Sequence, residues 1–460
     1  MKNEKKRIMK ILVAGCGKIG VSVISRLVDE GHDVTALDSS AAVIGGITNV
    51  YDVIGAVGNA TDCETLAEAG VAEADLFIAM MHSDELNMLA CFIARRMGAR
   101  HTIARIRNPE YNDSSLDFMR RELGLSLAVN PEMLAARELY NMLKLPSALK
   151  VEKFAARNFE MIEIRLKPDS RLSGVSLSDL RNRFKAKILV CYVRRGEDVF
   201  IPSGNFVLQG EDRIGITASS AEIQRFLREL DMLKKQARSV MILGGSRTSF
   251  YLAKMLGDIG IDVKIIEKNE EHCETLSGLL PRAIVICGDG TDQELLLEEG
   301  LAGSDAFVAL TGGDEENILV SVFAAARGVS KVITKVNRES LEGLADQLGL
   351  ESIISPKRTV ADVVMRYVRA RQNSRGSHIE TLYKLADDKA EAMEFIVTAD
   401  ANCIGIPLKD LKIKQGILIA GIIRGRIPII PTGADRICEG DRVIVVSAEK
   451  KLQDLSDILQ

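Results

Sequence analysis

A glycine-rich sequence near the amino end of the chain carries the first pattern that could do chemistry. It has the form G-x-G-x-x-G and follows a predicted strand at 10–14: Gly15, Cys16, Gly17, Lys18, Ile19 and Gly20. Such glycines permit a tight turn and let a phosphate approach the backbone. The N–H groups and positive dipole end of the following helix attract the phosphate charge. A side chain at Gly17 would block that approach.

An acidic residue follows at a spacing that suits a ribose-binding carboxylate. Asp38 ends the next predicted strand, 23 residues after Gly15. Its carboxylate would accept hydrogen bonds from both ribose hydroxyls and repel a 2′-phosphate. The pattern therefore favours NAD(H) or an adenosine nucleotide over NADP(H), with a solvated strand end as the alternative.

A polar turn follows the third predicted strand, and it consists of Asn59, Ala60, Thr61 and Asp62. Its backbone could cover an adenine, or Thr61 or Asp62 could simply cap the next helix.

Two more positions fall at the ends of later strands. Asp84, with Glu85 after it, precedes a predicted helix, where capping and dipole compensation explain both charges without a ligand. Arg105 lies near the carboxyl end of a predicted core strand, where phosphate contact and a structural ion pair are both open.

A long-period repeat covers almost the whole chain. Gly15 and Gly244, like Asp38 and Glu267, are 229 residues apart. At an offset of 230, residues 58–62 match 288–292, residues 84–87 match 314–317, and Arg105 falls opposite Lys335. Two similar halves are predicted.

The second half carries a modified turn, made of Gly244, Gly245, Ser246, Arg247, Thr248 and Ser249. Ser246 and Ser249 replace two glycines, so a Cβ would crowd a pyrophosphate at Ser246. Glu267 can still reach a ribose, and Lys335 substitutes a point charge for the planar fork of an arginine. We expect unequal nucleotide preferences in the two halves, or an empty second site.

Each half divides into two unlike pieces. In the first piece, strand-like runs at 10–14, 34–37, 53–57, 76–80 and 102–106 alternate with helical patterns, which predicts a Rossmann-like, doubly wound parallel sheet.

The second piece, from about residue 149, has short strands at 161–166, 188–193, 199–201 and 213–217 with one or two helices. It is expected to be a small α+β domain.

Pro, Ser, Gly and charged residues near 144–147 and 371–377 indicate exposed connections. The predicted domains are Rossmann-like at 1–145 and 236–372, and α+β at 148–233 and 377–460.

The composition of the chain argues against several classes of function. The chain of 460 residues has a formal net charge of −4 and 4% aromatic residues, which provide neither a basic stripe nor stacking surfaces for nucleic acid. No stretch reaches the roughly 20 apolar residues that cross a bilayer, and residues 1–7 lack the apolar core of a secretory signal. Eight cysteines without a C-x-x-C pair predict a reducing compartment and no metal site.

These motifs resemble those of the TrkA family of Trk-system potassium uptake regulators, which contain two RCK (regulator of potassium conductance) repeats. The resemblance rests on 15–20, Asp38, 58–62, 84–87 and the segment 103–111, and it covers nearly the whole chain. It implies a cytoplasmic homo-oligomer, expected to be a tetrameric ring, at the inner face of the membrane beneath a Trk-type potassium channel. NAD(H), ATP or ADP would change the shape of that ring.

The resemblance also implies roles for single residues. The first site would use the phosphate turn at 15–20, Asp38, 59–62 and Arg105, and the second would use Gly244, Gly245, Glu267, Asp289 and Lys335. Met80 and Met81 would line the first site but are bulkier than the small residues and threonine expected there, so the choice of nucleotide stays open.

Two other functions could use the same Rossmann-like pattern. An NAD-dependent oxidoreductase would need a proton donor or acceptor beside the nicotinamide, and the five histidines do not clearly supply one: His32, His82, His101, His272 and His378. A sensor that uses the same ring to control a different partner is the other alternative.

Overall fold

The computed structural model describes residues 8–109, 111, 113–154, 159–373, 379–386, 389–448, 452 and 454–460. The charged start at 1–7, Glu110 of the 103–111 segment, residues 374–377 of the predicted connection and His378 lie outside these residues.

The first half opens with a parallel sheet in the order β3-β2-β1-β4-β5-β6. Its strands are β1 (Lys10–Ala14), β2 (Asp33–Asp38), β3 (Ile54–Val57), β4 (Leu76–Ala79), β5 (Thr102–Arg105) and β6 (Leu127–Val129). The helices are α1 (Lys18–Asp29), α2 (Ala41–Thr48), α3 (Cys63–Glu68), α4 (Asp84–Arg96), α5 (Asp113–Leu123) and α6 (Pro131–Lys144). This is the doubly wound order of a dinucleotide-binding fold, and the prediction of that fold is confirmed.

A five-stranded antiparallel sheet follows in the order β10-β9-β11-β8-β7. Its elements are β7 (Lys150–Lys153), β8 (Phe159–Arg165), α7 (Leu177–Arg183), β9 (Leu189–Arg195), β10 (Asp198–Phe200), β11 (Arg213–Ser219) and α8 (Ser220–Glu229). Sequence patterns missed β6 and β7, which are three and four residues long.

The second half repeats this architecture, with a parallel sheet in the order β14-β13-β12-β15-β16-β17. Its strands are β12 (Ser239–Leu243), β13 (Asp262–Glu267), β14 (Ala283–Cys287), β15 (Ala306–Ala309), β16 (Lys331–Lys335) and β17 (Ile353–Ile354). The helices are α9 (Arg247–Asp258), α10 (Glu270–Leu279), α11 (Gln293–Glu298), α12 (Asp314–Ala326), α13 (Glu339–Gln347) and α14 (Pro356–Asn373).

The last antiparallel sheet has the order β18-β19-β22-β20-β21. Its strands are β18 (Ile379–Leu385), β19 (Ala390–Ile396), β20 (Ile417–Arg424), β21 (Ile427–Ile429) and β22 (Arg442–Ser447). Short 3₁₀ helices at Leu408–Asp410 and Leu455–Ile458 stand where the first half has α7 and α8. The four domain boundaries stay predictions.

The halves exchange one helix each. On α14, the buried residues Val360, Val364 and Val368 belong to the core of the first parallel sheet, against α1. On α6, Ala136, Leu139 and Leu143 belong to the core of the second parallel sheet, against α9. Each parallel sheet therefore needs a helix from the other half to cover it. The small sheets also pack together, since Phe159 and Tyr192 share a core with Ile423 and Val446.

Candidate nucleotide sites

The three glycines of the first turn have different environments. Gly15 has φ +89°, and a Cβ there would lie 2.6 Å from the Met81 nitrogen, while a Cβ at Gly20 would collide with the Gly15 carbonyl oxygen. These two glycines are required by the fold, because L side chains rarely adopt that φ and the backbones are in contact. A Cβ at Gly17 would meet no atom within 4 Å. Gly17 therefore borders open space, as a phosphate position requires.

The helix after this turn presents its amino end to the same space. Gly17 is the N-cap of α1, and the first turn contains no acidic residue. A helix leaves its first N–H groups without intrahelical partners, and the dipole makes that end positive. The start of α1 is thus suited to an anion.

Asp38 lies beside the turn, as its position predicted. One carboxylate oxygen accepts a hydrogen bond from the Cys16 nitrogen at 2.8 Å, and the other accepts one from the Ser40 nitrogen at 3.0 Å. A carboxylate has further acceptor capacity on both oxygens, and Asp38 is half-buried. The backbone holds the carboxylate at the end of β2 with lone pairs left for hydroxyl groups.

Cys16 is a structural residue of this turn. Its thiol is buried and contacts the Leu37 carbonyl oxygen at 3.6 Å. Burial, together with the charge of Asp38, raises the pKa of Cys16 to about 12. The side chain stays protonated at neutral pH.

The polar turn after β3 uses its side chains locally. The Asn59 side-chain oxygen accepts hydrogen bonds from the nitrogen and hydroxyl of Thr61, at 3.0 and 2.9 Å. Asp62 caps α3 by accepting from the Thr65 nitrogen at 2.9 Å, which confirms the predicted cap. Ala60 is buried. A contact between this turn and an adenine stays a prediction.

The capping role predicted for Asp84 is wrong. Ser83 caps α4, with its hydroxyl accepting from the Leu86 nitrogen at 3.2 Å. Asp84 is the first helical residue, and its carboxylate accepts from the Arg107 and Asn108 nitrogens at 2.8 and 2.7 Å. Its charge holds the segment after β5, and it still lies with Glu85 in the first turn of α4, where the predicted dipole compensation applies.

Asn87 is a site-forming residue that the sequence-based assignment missed. It is fully buried, and its side chain bonds the Met81 nitrogen at 2.8 Å and the Arg105 carbonyl oxygen at 2.9 Å. Asn317 makes the same bonds to Thr311 and Lys335 in the second half. The repeated D-E-x-N sequence was the available signal. Asn87 fixes Met80 and Met81, whose backbone contacts Gly15, to the end of β5.

Arg105 is held only loosely by protein groups. Its closest acidic partner is Glu132, at 3.7 Å, and the Nε atom of Arg105 and an oxygen of Glu132 are buried without a hydrogen bond among the described residues. Burial and then the charge of Arg107 lower the pKa of Arg105. A half-buried cation whose buried Nε donor is unused is available for an anionic ligand.

In the second glycine turn, side chains occupy the space that is open beside Gly17 in the first turn. Ser246 caps α9, with its hydroxyl accepting from the Ser249 nitrogen at 3.3 Å, and the Ser249 hydroxyl donates to the Gly244 carbonyl oxygen at 2.5 Å. Gly244 keeps φ +91°. A Cβ at Gly245 would lie 2.5 Å from the end of the Leu276 side chain and 2.8 Å from the Glu267 carboxylate, so a larger residue here would shift that carboxylate. Arg247 is exposed beside this turn.

Glu267 occupies the position of Asp38 and makes equivalent bonds. Its carboxylate accepts from the Gly245 nitrogen at 2.6 Å and the Asn269 nitrogen at 2.8 Å. Asp289 accepts from the Thr291 nitrogen and from Lys268, at 3.0 and 2.7 Å, and these bonds lower its pKa. The carboxylate geometry of the first site is kept, while the phosphate position is changed.

Charged residues of the two sites influence each other electrostatically across the junction of the halves. Lys335 donates to the Leu310 carbonyl oxygen at 3.3 Å; burial lowers its pKa, and Lys18 of the first half lowers it further. In the same way the charge of Arg247 adds to the effects that lower the pKa of Arg105. Cationic residues of each half therefore act on the cation at the end of β5 or β16 in the other half.

This arrangement, a pair of dinucleotide-type folds each followed by a small antiparallel domain, defines a two-repeat RCK architecture. Residues 11–131 and 240–356 match the TrkA-N domain, and residues 161–231 and 392–460 match the TrkA-C domain. The chain belongs to the TrkA family of potassium uptake proteins. Because the chain belongs to this family, the interpretation as an NAD-dependent oxidoreductase is rejected.

Similar proteins match along their full length. The Trk system potassium uptake protein TrkA homolog of Archaeoglobus fulgidus is 30% identical over 98% of this chain and 100% of its own. The TrkA protein of Vibrio alginolyticus is 30% identical over 98% of this chain and 99% of its own.

Solved structures share the fold. The GsuK RCK domain aligns with a TM-score of 0.63 at 16% identity, covering 97% of this chain and 93% of that one. A GsuK channel bound to NAD aligns with a TM-score of 0.64 at 16% identity, covering 97% of this chain and 78% of that one. Within the part of the chain that the structure describes, no helix is long and apolar enough to cross a membrane.

Proposed function

We propose that this chain is a regulatory subunit of a Trk-type potassium channel, and that binding of NAD(H), ATP or ADP to its Rossmann-like domains changes potassium flow through the channel. The observation that carries the proposal is the open phosphate position at Gly17 beside the half-buried Asp38, at the start of a helix with no acidic residue in its first turn.

The first site suits a nucleotide by its residues. The α1 N-terminus at Gly17 and Lys18 would hold a phosphate, and Asp38 would bind the ribose hydroxyls. Arg105, with its unused Nε donor, would reach a terminal phosphate or pyrophosphate. The hydrogen bond from the Tyr251 hydroxyl of α9 to the Arg107 carbonyl oxygen, at 2.9 Å, supports a contribution of the second half to ligand binding in the first.

The second site would bind a different nucleotide, or bind the same one more weakly. Glu267 retains the ribose position, but the Ser246 hydroxyl already occupies the start of α9. A ligand phosphate must displace that cap or sit farther out. This difference supports a sensor whose two halves respond to different nucleotides.

Regulation requires more than tight binding. A ligand shifts a conformational equilibrium only by its difference in affinity for the two states, commonly about 1–3 kcal/mol. Several copies in a ring would add these increments. A homo-oligomeric ring, expected to be a tetramer, at the cytoplasmic face of the membrane and beneath a potassium channel subunit, fits the names of the relatives as potassium uptake proteins.

Calorimetric titration of the purified protein with NADH, NAD, ATP and ADP tests this proposal. Asp38→Ala should weaken binding at one site and Glu267→Ala at the other. The matched controls are Asp33→Ala and Asp262→Ala, which remove exposed carboxylates at the opposite ends of the same strands. If none of the four nucleotides binds, or if the control variants lose as much affinity, the nucleotide assignment is wrong.

A further inference from the structure

Two cysteines flank the ribose-binding position of the second half. Cys273 lies on α10, and its thiol donates to the Glu267 carbonyl oxygen at 3.3 Å. Cys287 ends β14 and is the register partner of Glu267 in the parallel sheet. Val285, two residues earlier and on the same face of β14, packs against the core that contains Leu276 of α10, so Cys287 lies on the face of the sheet that α10 covers. Both are free thiols, with Cys273 buried and Cys287 exposed.

The first half shows that the fold does not need sulfur at these places. Ile44 is the counterpart of Cys273 on α2, at an offset of 229, and Val57 is the counterpart of Cys287 at the end of β3, at an offset of 230. Ile44 is buried and Val57 pairs with Asp38 as Cys287 pairs with Glu267. An apolar pair therefore satisfies the same packing, and the thiol pair is specific to the second half.

We propose that Cys273 and Cys287 form a reversible disulfide that alters nucleotide binding at the second site. The disulfide itself depends only on the two thiols, whereas its effect on a ligand rests on the function proposed above. The first site, with Ile44 and Val57, cannot respond in this way.

The oxidation is balanced with hydrogen peroxide as the oxidant. The exposed Cys287 thiolate attacks one peroxide oxygen, the O–O bond breaks, and Cys287 becomes a sulfenic acid as water leaves. The Cys273 sulfur then attacks the Cys287 sulfur; the S–S bond forms, the S–O bond breaks, and a second water carries away the Cys273 proton. Two thiols lose two electrons to the peroxide, and a dithiol reductant reverses the change by exchange.

The exposure of the two thiols determines which of them reacts with peroxide first. Burial raises the pKa of Cys273 to about 11, with a further contribution from the neighbouring Cys287 thiol. A protonated, buried thiol is a poor nucleophile toward peroxide. Cys273 therefore acts second, on a sulfur that is already beside it.

The link to the nucleotide site runs through the start of α10. Asn269 caps α10 by accepting from the His272 nitrogen at 2.8 Å, and its own nitrogen donates to the Glu267 carboxylate. A disulfide would remove the bond from Cys273 to the Glu267 carbonyl oxygen and tie α10 to β14. Both changes act on the backbone that positions the Glu267 carboxylate.

Disulfide formation is tested by peroxide treatment of the full chain, followed by intact mass and nonreducing peptide mapping. The expected result is loss of two hydrogens and a linked peptide pair containing Cys273 and Cys287, reversed by dithiothreitol. Cys287→Val and Cys273→Ile, which copy the first half, should abolish the linked pair. Cys63, exposed on α3, reports general oxidation. Overoxidation of Cys287 at the rate of Cys63, without the linked pair, would overturn the proposal.

The effect on binding is tested in the Asp38→Ala variant, which isolates the second site. Nucleotide affinity measured before and after peroxide should differ by at least about fivefold, the lower end of typical coupling, and the Cys287→Val variant should show no difference. A mapped disulfide with unchanged affinity would overturn the regulatory part. If reduced Asp38→Ala binds no nucleotide although the wild type does, the regulatory part is also overturned, whereas absence of binding in the reduced wild type would refute the proposed function.

Discussion

Tyr251 of the second half donates its hydroxyl to the carbonyl oxygen of Arg107 in the first half, at 2.9 Å. The same hydroxyl accepts a hydrogen bond from the side chain of Asn130, the N-cap of α6, at 3.1 Å. Tyr251 lies on α9, the helix that starts at the second glycine turn. These two hydrogen bonds connect α9 directly to the edge of the first site.

Tyr251→Phe should uncouple the two sites. The substitution keeps the ring and removes both hydrogen bonds, at a cost of about 1–2 kcal/mol in the free energy of unfolding. Titration of one nucleotide at saturating concentrations of another should show smaller mutual effects than in the wild type. Tyr140→Phe, which removes a hydroxyl from the partner helix α6, is the control. Equal coupling in wild type and Tyr251→Phe would contradict this route.

Gly17→Asp should abolish nucleotide binding at the first site without unfolding the protein. The added side chain enters open space, where its charge repels a phosphate, and aspartate is a favourable N-cap for α1. Gly20→Ala should lower the melting temperature instead, because its Cβ collides with the Gly15 carbonyl oxygen. Calorimetry and thermal unfolding separate the two effects. Wild-type affinity in Gly17→Asp would show that the phosphate lies elsewhere.

Lys331 should make stability rise with pH above neutrality. This buried lysine donates to the Ala148 carbonyl oxygen at 2.6 Å and the Ser352 hydroxyl at 2.8 Å, and burial, followed by the charge of Lys234, lowers its pKa to about 7. The unfolded chain, with an ordinary lysine pKa near 10.5, then binds more protons than the native state between these values. Below pH 7 the native state bears the full free-energy cost of burying the charged lysine. This cost disappears as the pH rises from about 7 towards 10.5, so the free energy of unfolding increases over that range.

Lys331→Met removes this titration and serves as the reference for it. The difference in the free energy of unfolding between wild type and Lys331→Met, measured by denaturant unfolding, should shift in favour of the wild type from pH 7 to pH 9, by up to about 1.4 kcal/mol per pH unit. A difference that stays constant over this range would show that Lys331 does not titrate there.

Val364→Asp should loosen the first parallel sheet although it lies in the second half. Val364 is fully buried on α14 in the core of that sheet, and an unpaired charge there is costly. Leu139→Asp on α6 is the reciprocal change and should loosen the second sheet. Hydrogen exchange of β1 and β12 would report each effect. Faster exchange confined to the mutated residue's own half would contradict the helix exchange.

Much of the fold and part of the site were predictable from local patterns. The strands β1 to β5 are apolar runs between helical patterns, and the glycine turn with Asp38 has a fixed spacing. Asp38 binds the Cys16 nitrogen because parallel strands end at the same edge of the sheet.

Contacts between distant segments were not predictable in this way. The apolar face of α14 shows that the helix is covered, but not that α1 covers it. Asp84 has the composition of a cap, yet Ser83 takes that role, because one residue of difference in where a helix starts carries little sequence signal. Cys273 and Cys287 are neighbours only because α10 packs on β14, and the spacing of residues in the sequence does not predict that packing.

The exchange of α6 and α14 also bears on how the two halves diverged. Two identical chains joined by such an exchange would form a twofold dimer, in which any substitution appears in both sites at once. When the two copies are joined in one polypeptide, that symmetry is lost. Each parallel sheet is still covered by a helix from the other half. The space beside Gly17 can then stay open while the equivalent residue of the second half becomes Ser246. The covalent link therefore allows the two sites to evolve independently within one protein.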